Sequence, residues 1–136
     1  MSHYSEIACN LREKESLLEA LKILFKINSS MIEVHDTPQN LYDYRNTIRP
    51  QKANIIIRRQ HVGAMSNDMG FIKQEDGTYK AIIDQFSQGI GYGASWLNKL
   101  QQTYNLKVVE KVFKKQNKKF TQQKLKDGTI KLSVAY

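Results

Sequence analysis

Hydrophobic side chains recur at helical spacing in two segments of the chain, and each segment is predicted to form an amphipathic helix. The first helix covers residues 11–26, with Asn10 as its N-cap and Glu13 as the capping-box partner. The second begins near Ser95, and an interruption at Tyr104-Asn105 would divide it. The apolar stripes consist of Leu17, Leu18, Leu21, Leu24 and Phe25 in the first helix, and of Trp96, Leu97, Leu100, Tyr104, Val108, Val109, Val112 and Phe113 in the second.

Shorter apolar segments predict strands. Residues 4–9 alternate weakly, residues 31–34 suit a strand that returns from the first helix, and residues 55–59 begin with three consecutive isoleucines. The segment between the last two, residues 35–52, is polar and contains Pro38 and Pro50. We therefore predict that it forms a loop over one edge of the sheet.

Two Asp-Gly dipeptides predict β-hairpins, because a two-residue Asp-Gly link supplies the positive φ angles of a type I′ turn. The first, Asp76-Gly77, lies between strands at 70–75 and 78–83, and a two-residue link would place Phe71 opposite Ile82 and Ile72 opposite Ala81. The second, Asp127-Gly128, lies between strands near 120–125 and 129–134.

The predicted order of elements is β-α-β-β-β-β-α-β-β. A sheet with one apolar face must bury that face under helices, so we predict an α+β fold. It would be a two-layer sandwich in which a mostly antiparallel sheet, with both Asp-Gly hairpins, packs against two amphipathic helices. Ferredoxin-like topology is one arrangement of this kind. A chain of 136 residues fits a single domain covering residues 1–136.

Positive charge is concentrated at the end of the chain. Residues 1–98 contain 11 basic and 11 acidic side chains, whereas residues 99–136 contain ten lysines and only Glu110 and Asp127 as acids. The second helix would present a lysine ridge, on the side away from its apolar stripe, to an anionic partner such as nucleic acid. An alternative is AT-biased codon usage, since lysine outnumbers arginine 16 to 5. The lysine ridge consists of Lys107, Lys111, Lys114, Lys115 and Lys118.

Candidate chemistry is sparse. The cluster Gly89-Ile90-Gly91-Tyr92-Gly93-Ala94 has the loose spacing of a dinucleotide loop, but it follows a hairpin strand, so we interpret it as a turn before a helix. Cys9 is the only cysteine and is interpreted as a small apolar filler rather than a nucleophile. His3, His35 and His61 are far apart. The sequence therefore predicts no catalytic residue, no cofactor and no metal site.

Two neighbouring arginines end the isoleucine-rich strand. One of Arg58 and Arg59 could pair with a carboxylate such as Asp84, or with an anionic partner. The aromatic residues Trp96 and Tyr104 lie on the apolar helix stripe, so we expect them in the core rather than as a stacking platform for RNA bases.

The sequence also bears on the compartment. Its most apolar stretch is Ile55-Ile56-Ile57, so we expect no membrane insertion. A single cysteine agrees with a reducing compartment. The first residues resemble neither a signal peptide nor a transit peptide, so we expect the protein to act where it is synthesised.

Several segments, in order along the chain, are similar to those of one family. They are Met1-Ser2-His3-Tyr4-Ser5, Ile56-Ile57-Arg58, Asn67-Asp68-Met69-Gly70-Phe71, Asp76-Gly77-Thr78-Tyr79, Trp96-Leu97-Asn98-Lys99-Leu100-Gln101-Gln102-Thr103-Tyr104 and Asp127-Gly128-Thr129-Ile130-Lys131-Leu132. The chain thus resembles the hypothetical chloroplast reading frame thirty-five family of algal plastids and cyanobacteria, whose function is unknown. The resemblance implies a plastid-encoded protein of the chloroplast stroma, or a cytoplasmic one if the source is cyanobacterial, and it supplies no catalytic residues.

Three hypotheses about function follow. The first is a non-enzymatic accessory or assembly factor that acts through contacts with an unknown protein partner. The second is nucleic-acid binding through the lysine ridge. The third is a small enzyme with an unrecognised site, using Cys9 or a histidine.

Overall fold

The computed structural model describes the backbone of residues 3–115, 119–124 and 130–135, and the side chains of residues 3–115. Within these residues, seven strands and four helices follow one another. They are β1 (Tyr4–Leu11), α1 (Lys14–Phe25), β2 (Ile32–Tyr42), β3 (Ile48–Ile57), α2 (Arg59–Val62), β4 (Met69–Lys73), β5 (Tyr79–Asp84), α3 (Gln85–Gly89), α4 (Ala94–Lys115), β6 (Lys119–Lys124) and β7 (Ile130–Ala135), with one 3-10 turn, Ser29–Met31, before β2. The predicted α+β class and the predicted order of the two long helices and seven strands are confirmed.

Five strands form one antiparallel sheet in the order β1-β5-β4-β3-β2. Strands β2 to β5 follow one another as a meander, and β1 lies beside β5, so β1 and β2 form the two edges. The meander differs from a ferredoxin-like arrangement, because each strand from β2 onward pairs with its neighbour in sequence. Strands β6 and β7 pair with each other as a separate two-stranded sheet.

Helices α1 and α4 pack on one face of the five-stranded sheet, as the apolar stripes predict. Leu17 and Leu21 of α1 and Leu100 of α4 are buried in the same cluster as Ile55 and Phe71 of the sheet. Burying several large aliphatic side chains in this way stabilises the fold, at roughly 25 cal/mol per Å² of apolar surface removed from water. The two helices therefore form the second layer of the predicted sandwich.

The beginning of α1 differs from the prediction. Strand β1 continues to Leu11, so Asn10 lies in the strand and is not the N-cap. Glu13 occupies the N-cap position and its side chain makes no capping hydrogen bond. Instead, the hydroxyl of Tyr104 in α4 accepts hydrogen bonds from the backbone N–H groups of Arg12, at 2.9 Å, and Glu13, at 2.8 Å. A side chain from the second helix thus fixes the start of the first.

The loop predicted over residues 35–52 is wrong. Most of this segment is strand, in β2 and β3, which pair around a tight turn at residues 43–47. Pro38 is tolerated because β2 is an edge strand whose register shifts between Val34 and Gln39. Pro50 lies in the part of β3 that pairs only with β2, since the pairing of β3 with β4 begins at Ile55. A proline would interrupt a strand that has neighbours on both sides. Both prolines are accommodated here because each lies on a strand segment with a neighbour on only one side.

The first Asp-Gly hairpin is present, but its predicted register is wrong by one residue. Phe71 lies opposite Ala81 and Ile72 opposite Lys80. The link is longer than two residues, because Gln74 N–H donates to Thr78 O at 2.7 Å and Gly77 N–H donates to Gln74 O at 3.1 Å. These bonds close a three-residue loop. Gly77, with a φ of 87°, provides the positive φ of the bulge that accompanies such a turn.

The second hairpin is confirmed at the level of its strands. In β6 and β7, Lys124 pairs with Ile130 and Phe120 with Val134. The Asp127-Gly128 turn and the side chains of these strands lie outside the described residues. Helix α4 runs without interruption through Tyr104-Asn105. No helix in the described part of the chain is long and apolar enough to cross a membrane.

Candidate functional site

The distal half of the β2–β3 hairpin bends over the sheet face opposite the helices. The backbone of Tyr42, at the end of β2, exchanges two hydrogen bonds with Asp68, just before β4. Leu41 and Ala53 of the hairpin are completely buried beside Ile56 and Ile82 of the sheet. In the order of strands across the sheet, β3 lies between β2 and β4. Contacts between the end of β2 and the start of β4 therefore require the distal half of the hairpin to fold back over the sheet. The bend brings residues from four strands together at one end of the sheet.

Gly70 makes this close approach feasible. A β-carbon at position 70 would lie only 2.5 Å from the Ala53 β-carbon and 3.1 Å from Leu41 Cδ2. Glycine lacks this atom, so the hairpin can pack directly on the β4 backbone. The Asn67-Asp68-Met69-Gly70 segment is therefore shaped by the hairpin that lies on it.

Asp68 is the centre of the contacts at this end. Its buried carboxylate accepts hydrogen bonds from Tyr42 N–H at 2.8 Å, Arg59 N–H at 2.8 Å and the Arg58 guanidinium at 2.7 Å. Its backbone carbonyl accepts a bond from the Tyr4 hydroxyl at 2.7 Å. The Asp68 side chain therefore connects the end of β2 and the start of α2 to the start of β4. The backbone carbonyl of Asp68 connects β1 to the same point.

Arg58 links this centre to the β2 edge. Its guanidinium donates to both carboxylate oxygens of Glu33, at 2.5 and 2.7 Å, and lies over the Tyr42 ring, 5.3 Å from its centre. The hydrogen bond to Glu33 raises the pKa of Arg58, and the same bond lowers the pKa of Glu33. Sequence reasoning expected one arginine to pair with a carboxylate such as Asp84. The partners are instead Glu33 and Asp68, because Arg58 directly follows β3, the neighbour of β2, whereas Asp84 ends β5, on the far side of β4.

Two further buried carboxylates fix turns at the same end. Asp43 Oδ1 accepts hydrogen bonds from Arg45 N–H at 2.9 Å and Thr47 N–H at 3.0 Å, while its buried Oδ2 meets no hydrogen-bond donor among the described residues. Burial alone would raise the pKa of Asp43, but these amides and the nearby arginines outweigh it and hold the pKa below its ordinary value. Asp84 caps α3 by accepting from the amide and hydroxyl of Ser87.

Tyr4 lies among these groups at the start of β1. Burial first, and then the negative charges of Asp68 and Asp84, raise the pKa of Tyr4 far above its ordinary value, so the hydroxyl stays protonated and donates to Asp68 O. The Arg49 guanidinium lies 5.2 Å from the centre of the Tyr4 ring. Carboxylates, arginines and a tyrosine thus gather at this end of the sheet, and we call this group the polar network. It consists of Tyr4, Glu33, Asp43, Arg49, Arg58, Asp68 and Asp84.

Large apolar side chains are exposed around the polar network. One group is the cross-strand pair of Tyr42, 38% exposed, and Ile48, 61% exposed, at the hairpin end. The other is Met65, 63% exposed, in the turn after α2, with Phe86, 42% exposed, and Ile90, 51% exposed, in and after α3. The segment that carries Asp68 connects the two groups. We call these five side chains the apolar rim.

The apolar rim is held in place by the backbone beneath it. Ser66 N–H donates to Gly63 O at 3.1 Å and closes the turn that carries Met65. The Ile90 side chain lies near Gly63, 3.7 Å from where a β-carbon would be, and the Tyr92 hydroxyl donates to Val62 O at 3.0 Å. These contacts fix α3 against the turn after α2.

The lysine ridge is divided by the structure. Lys111 lies against the start of α1 and pairs with Glu13 at 2.6 Å and Glu15 at 2.7 Å. Lys107 pairs with Glu110, one turn further along α4. Lys114 and Lys115 are exposed at the end of the helix, and Lys118 lies outside the described residues. The ridge therefore faces the acidic start of α1 along part of its length.

The remaining candidates are dispersed. Burial raises the pKa of the half-buried Cys9 thiol, which donates to Ile7 O, and His35 pairs with Glu33. No group of three or more His, Cys, Asp or Glu side chains within the described ranges could hold a metal ion. Gly93 accepts the first hydrogen bond of α4, from Leu97 N–H, so the glycine cluster forms a turn before a helix as interpreted.

Sequence reasoning missed the polar network. Its ion pairs join residues 10 and 25 positions apart, which no local pattern reveals. One signal was present: Asn67 and Asp68 are polar residues placed directly before a buried strand, and polar side chains at such a position must find hydrogen-bond partners.

No curated protein and no solved structure is similar enough to this chain to count as a match. One family profile, described as a protein of unknown function (DUF1257), matches residues 27–133. The matched range begins just after α1 and includes both Asp-Gly dipeptides, the whole of α4 and most of the polar network. The chain belongs to this DUF1257 family of unknown function.

Proposed function

We propose that this protein is a non-enzymatic accessory or assembly factor that binds a partner protein through the apolar rim. The observation that carries the proposal is the exposure of five large apolar side chains at one end of the sheet. Exposed apolar groups that cluster around a well-ordered framework are typical of protein-binding surfaces.

The charge around the apolar rim indicates the chemistry of the partner. Four of the five arginines of the chain, at positions 45, 49, 58 and 59, lie at this end. Arg45 is exposed and lies over the Tyr44 ring, 5.2 Å from its centre, and Arg59 donates to Asn46. Tyrosine, methionine and arginine are enriched at protein interfaces, and tyrosine and arginine often contribute most of the binding energy. We infer a partner that presents an apolar patch bordered by acidic side chains.

The polar network contributes rigidity. Binding costs conformational entropy whenever a loop must become ordered, so a surface held by buried hydrogen bonds binds with a smaller cost. The turns that carry Tyr42, Ile48 and Met65 are closed by hydrogen bonds that exist before any partner arrives. The resemblance described above supports action in the plastid stroma, or in the cytoplasm of a cyanobacterium.

The proposal is tested by affinity purification of the tagged protein from its source organism, with the double variant Met65→Ser/Ile90→Ser in parallel. Both side chains are more than half exposed, so the variant should fold normally. We expect the wild type to retain a partner at reproducible stoichiometry. The double variant should retain little or none of the partner, because two hot-spot residues at about 2 kcal/mol each would weaken the affinity about a thousandfold.

The matched control is Ile23→Ser/Val112→Ser, which removes similarly exposed apolar side chains from α1 and α4. This control should retain the partner. Equal retention by the wild type and the rim variant would contradict the proposal, as would loss in the control. Recovery of nuclease-sensitive nucleic acid, unaffected by the rim variant, would instead favour binding through the exposed lysines at the end of α4.

A further inference from the structure

Strand β1 is an edge of the five-stranded sheet, and its backbone pairs with β5 on one side. The register with β5 is regular from Tyr4 to Ala8. Gln85 N–H donates to His3 O at 2.9 Å, and residues of an antiparallel pair alternate in direction, so the odd-numbered residues of β1 bond to β5. The N–H and C=O groups of Tyr4, Glu6 and Ala8 therefore point away from the sheet.

These outward backbone groups meet no hydrogen-bond partner in the part of the chain that the structure describes. Helix α4 reaches the edge further along, where Gln101 Nε2 donates to Asn10 O at 3.0 Å. The side chains of Glu6 and Ala8 are exposed. The segment from residue 4 to residue 8 is thus open to pairing with a further strand.

The two edges of the sheet differ in how they are protected against such pairing. Strand β2 contains Pro38, which has no N–H to donate, and its register shifts twice. Between Tyr4 and Leu11, β1 contains no proline, lysine or arginine, and Glu6 is its only charged residue. Natural sheets protect the edges that stay exposed, by prolines, bulges and charged side chains. The unprotected edge of β1 therefore indicates that another strand covers it.

The charges beside the edge indicate that this strand is β1 of a second copy. A symmetric antiparallel pair with its axis at Ile7 places Glu6 opposite Ala8 of the second copy. Because Ala8 lies opposite Lys80 on β5, Lys80 of the second copy is next in the same row and on the same face. Alanine is small, so the long acidic and basic side chains can meet across it. Neither Glu6 nor Lys80 forms an ion pair within the described ranges.

The same charges select the register. An axis at Glu6 would place two glutamates directly opposite each other, and like charges in that position destabilise a strand pair. An axis at Ile7 avoids this contact. It also brings two Ile7 side chains together on the helix-covered face, where each is only partly buried against the core. Pairing there would remove the remaining apolar surface of Ile7 from water.

We propose that this protein forms a twofold symmetric dimer in which two β1 edges pair antiparallel about Ile7. The two five-stranded sheets then form one continuous sheet. Glu6 of each copy pairs with Lys80 of the other on one face, and the two Ile7 side chains pack on the opposite face. The dimer uses the backbone edge of the sheet and not the side chains of the apolar rim, so it does not depend on the proposed function.

The test is the mass of the purified full chain, measured by light scattering over a dilution series. We expect a mass twice that of the 15.8 kDa chain, falling to the monomer mass on dilution. Glu6→Lys should weaken the dimer about tenfold, because two attractive charge pairs become repulsive. Glu6→Lys/Lys80→Glu should restore the wild-type affinity. Glu75→Lys, the same change at an exposed position in the loop between β4 and β5, is the control and should have no effect.

A proline variant tests the backbone pairing directly. Ala8→Pro removes an outward N–H and leaves the bonds to β5 intact, so it should be monomeric, and its circular dichroism should match that of the wild type. Hydrogen exchange followed by NMR should show slow amides at Glu6 and Ala8 in the wild-type dimer and fast exchange of the Glu6 amide in Ala8→Pro.

Three results would overturn the proposal. One is a monomer at every concentration. Another is a dimer in which the amides of Glu6 and Ala8 exchange freely, since edge pairing must protect them. The third is a dimer that dissociates in Met65→Ser/Ile90→Ser but persists in Glu6→Lys, because the apolar rim would then be the contact between the two copies. If Ala8→Pro does not fold, Glu6→Lys and its charge-swapped double variant decide the question.

Discussion

At the scale of single residues, Asp68 has the largest structural role in the described part of the chain. It accepts from two backbone amides and one guanidinium while almost fully buried. A carboxylate in this position is stable because each of its partners donates, and two of them are held by the backbone. If the Asp68 carboxylate is neutralised, Glu33 remains as the ion-pair partner of Arg58.

We therefore expect Asp68→Asn to lower the free energy of unfolding by about 2–3 kcal/mol, since it weakens a charged hydrogen bond and turns one acceptor into a donor. The measurement is the midpoint of urea unfolding, followed by circular dichroism. The matched control is Glu75→Gln, which neutralises an exposed carboxylate in the loop between β4 and β5. It should not change the midpoint. Equal midpoints for both variants would show that the polar network contributes little to stability.

At the scale of elements, the β2–β3 hairpin is the feature that most distinguishes this sheet from a simple meander. Its distal half covers the face opposite the helices, so both faces of the sheet are covered. The contact depends on the absence of a side chain at Gly70. Substitution of that residue tests whether the hairpin is packed as closely as the distances indicate.

Gly70→Ala should lower the free energy of unfolding by about 1–3 kcal/mol, because the added methyl group would overlap Ala53 and force the hairpin away from β4. Gly89→Ala is the control, since a β-carbon there meets no atom within 4 Å. It should be neutral or slightly stabilising, as alanine favours a helix end more than glycine does. A neutral Gly70→Ala variant would contradict the close packing of the hairpin.

At the scale of the whole molecule, several carboxylates have a lowered pKa in the folded protein. Among them, a hydrogen bond from Arg58 lowers the pKa of Glu33, and amide hydrogen bonds lower that of buried Asp43. In the unfolded chain these groups return to their ordinary pKa values, 4.5 for Glu33 and 3.8 for Asp43. Below those values the unfolded chain binds more protons than the folded one, so acid favours unfolding.

We expect the free energy of unfolding to be nearly constant between about pH 5 and pH 7 and to fall steadily as the pH is lowered through 4 and below. Urea midpoints measured from pH 7 to pH 2 would show this. Asp43→Asn should reduce the slope in the acid range, because one of the protons taken up on unfolding is removed. A slope identical to that of the wild type would mean that Asp43 does not contribute to acid sensitivity.

Several features were determined by the sequence alone, because they depend on contacts between near neighbours. The apolar stripes predicted α1 and α4, the Asp-Gly dipeptides located the hairpins, and the order of long helices and strands followed. Local patterns also explain the errors. A two-residue link predicted the wrong register at Asp76-Gly77, where the loop has three residues. Two prolines in a polar segment resembled a loop, although strand segments with a neighbour on only one side tolerate them.

The tertiary structure alone decided which distant side chains meet. Glu33, Arg58 and Asp68 are far apart in sequence, and only the sheet order and the bend of the β2–β3 hairpin bring them together. The same holds for Lys111. Helix periodicity places it on the solvent-exposed face of α4, but the packing of α4 on α1 brings it to Glu13. Periodicity records whether a side chain is buried or exposed, whereas the identity of its neighbour depends on how whole elements pack.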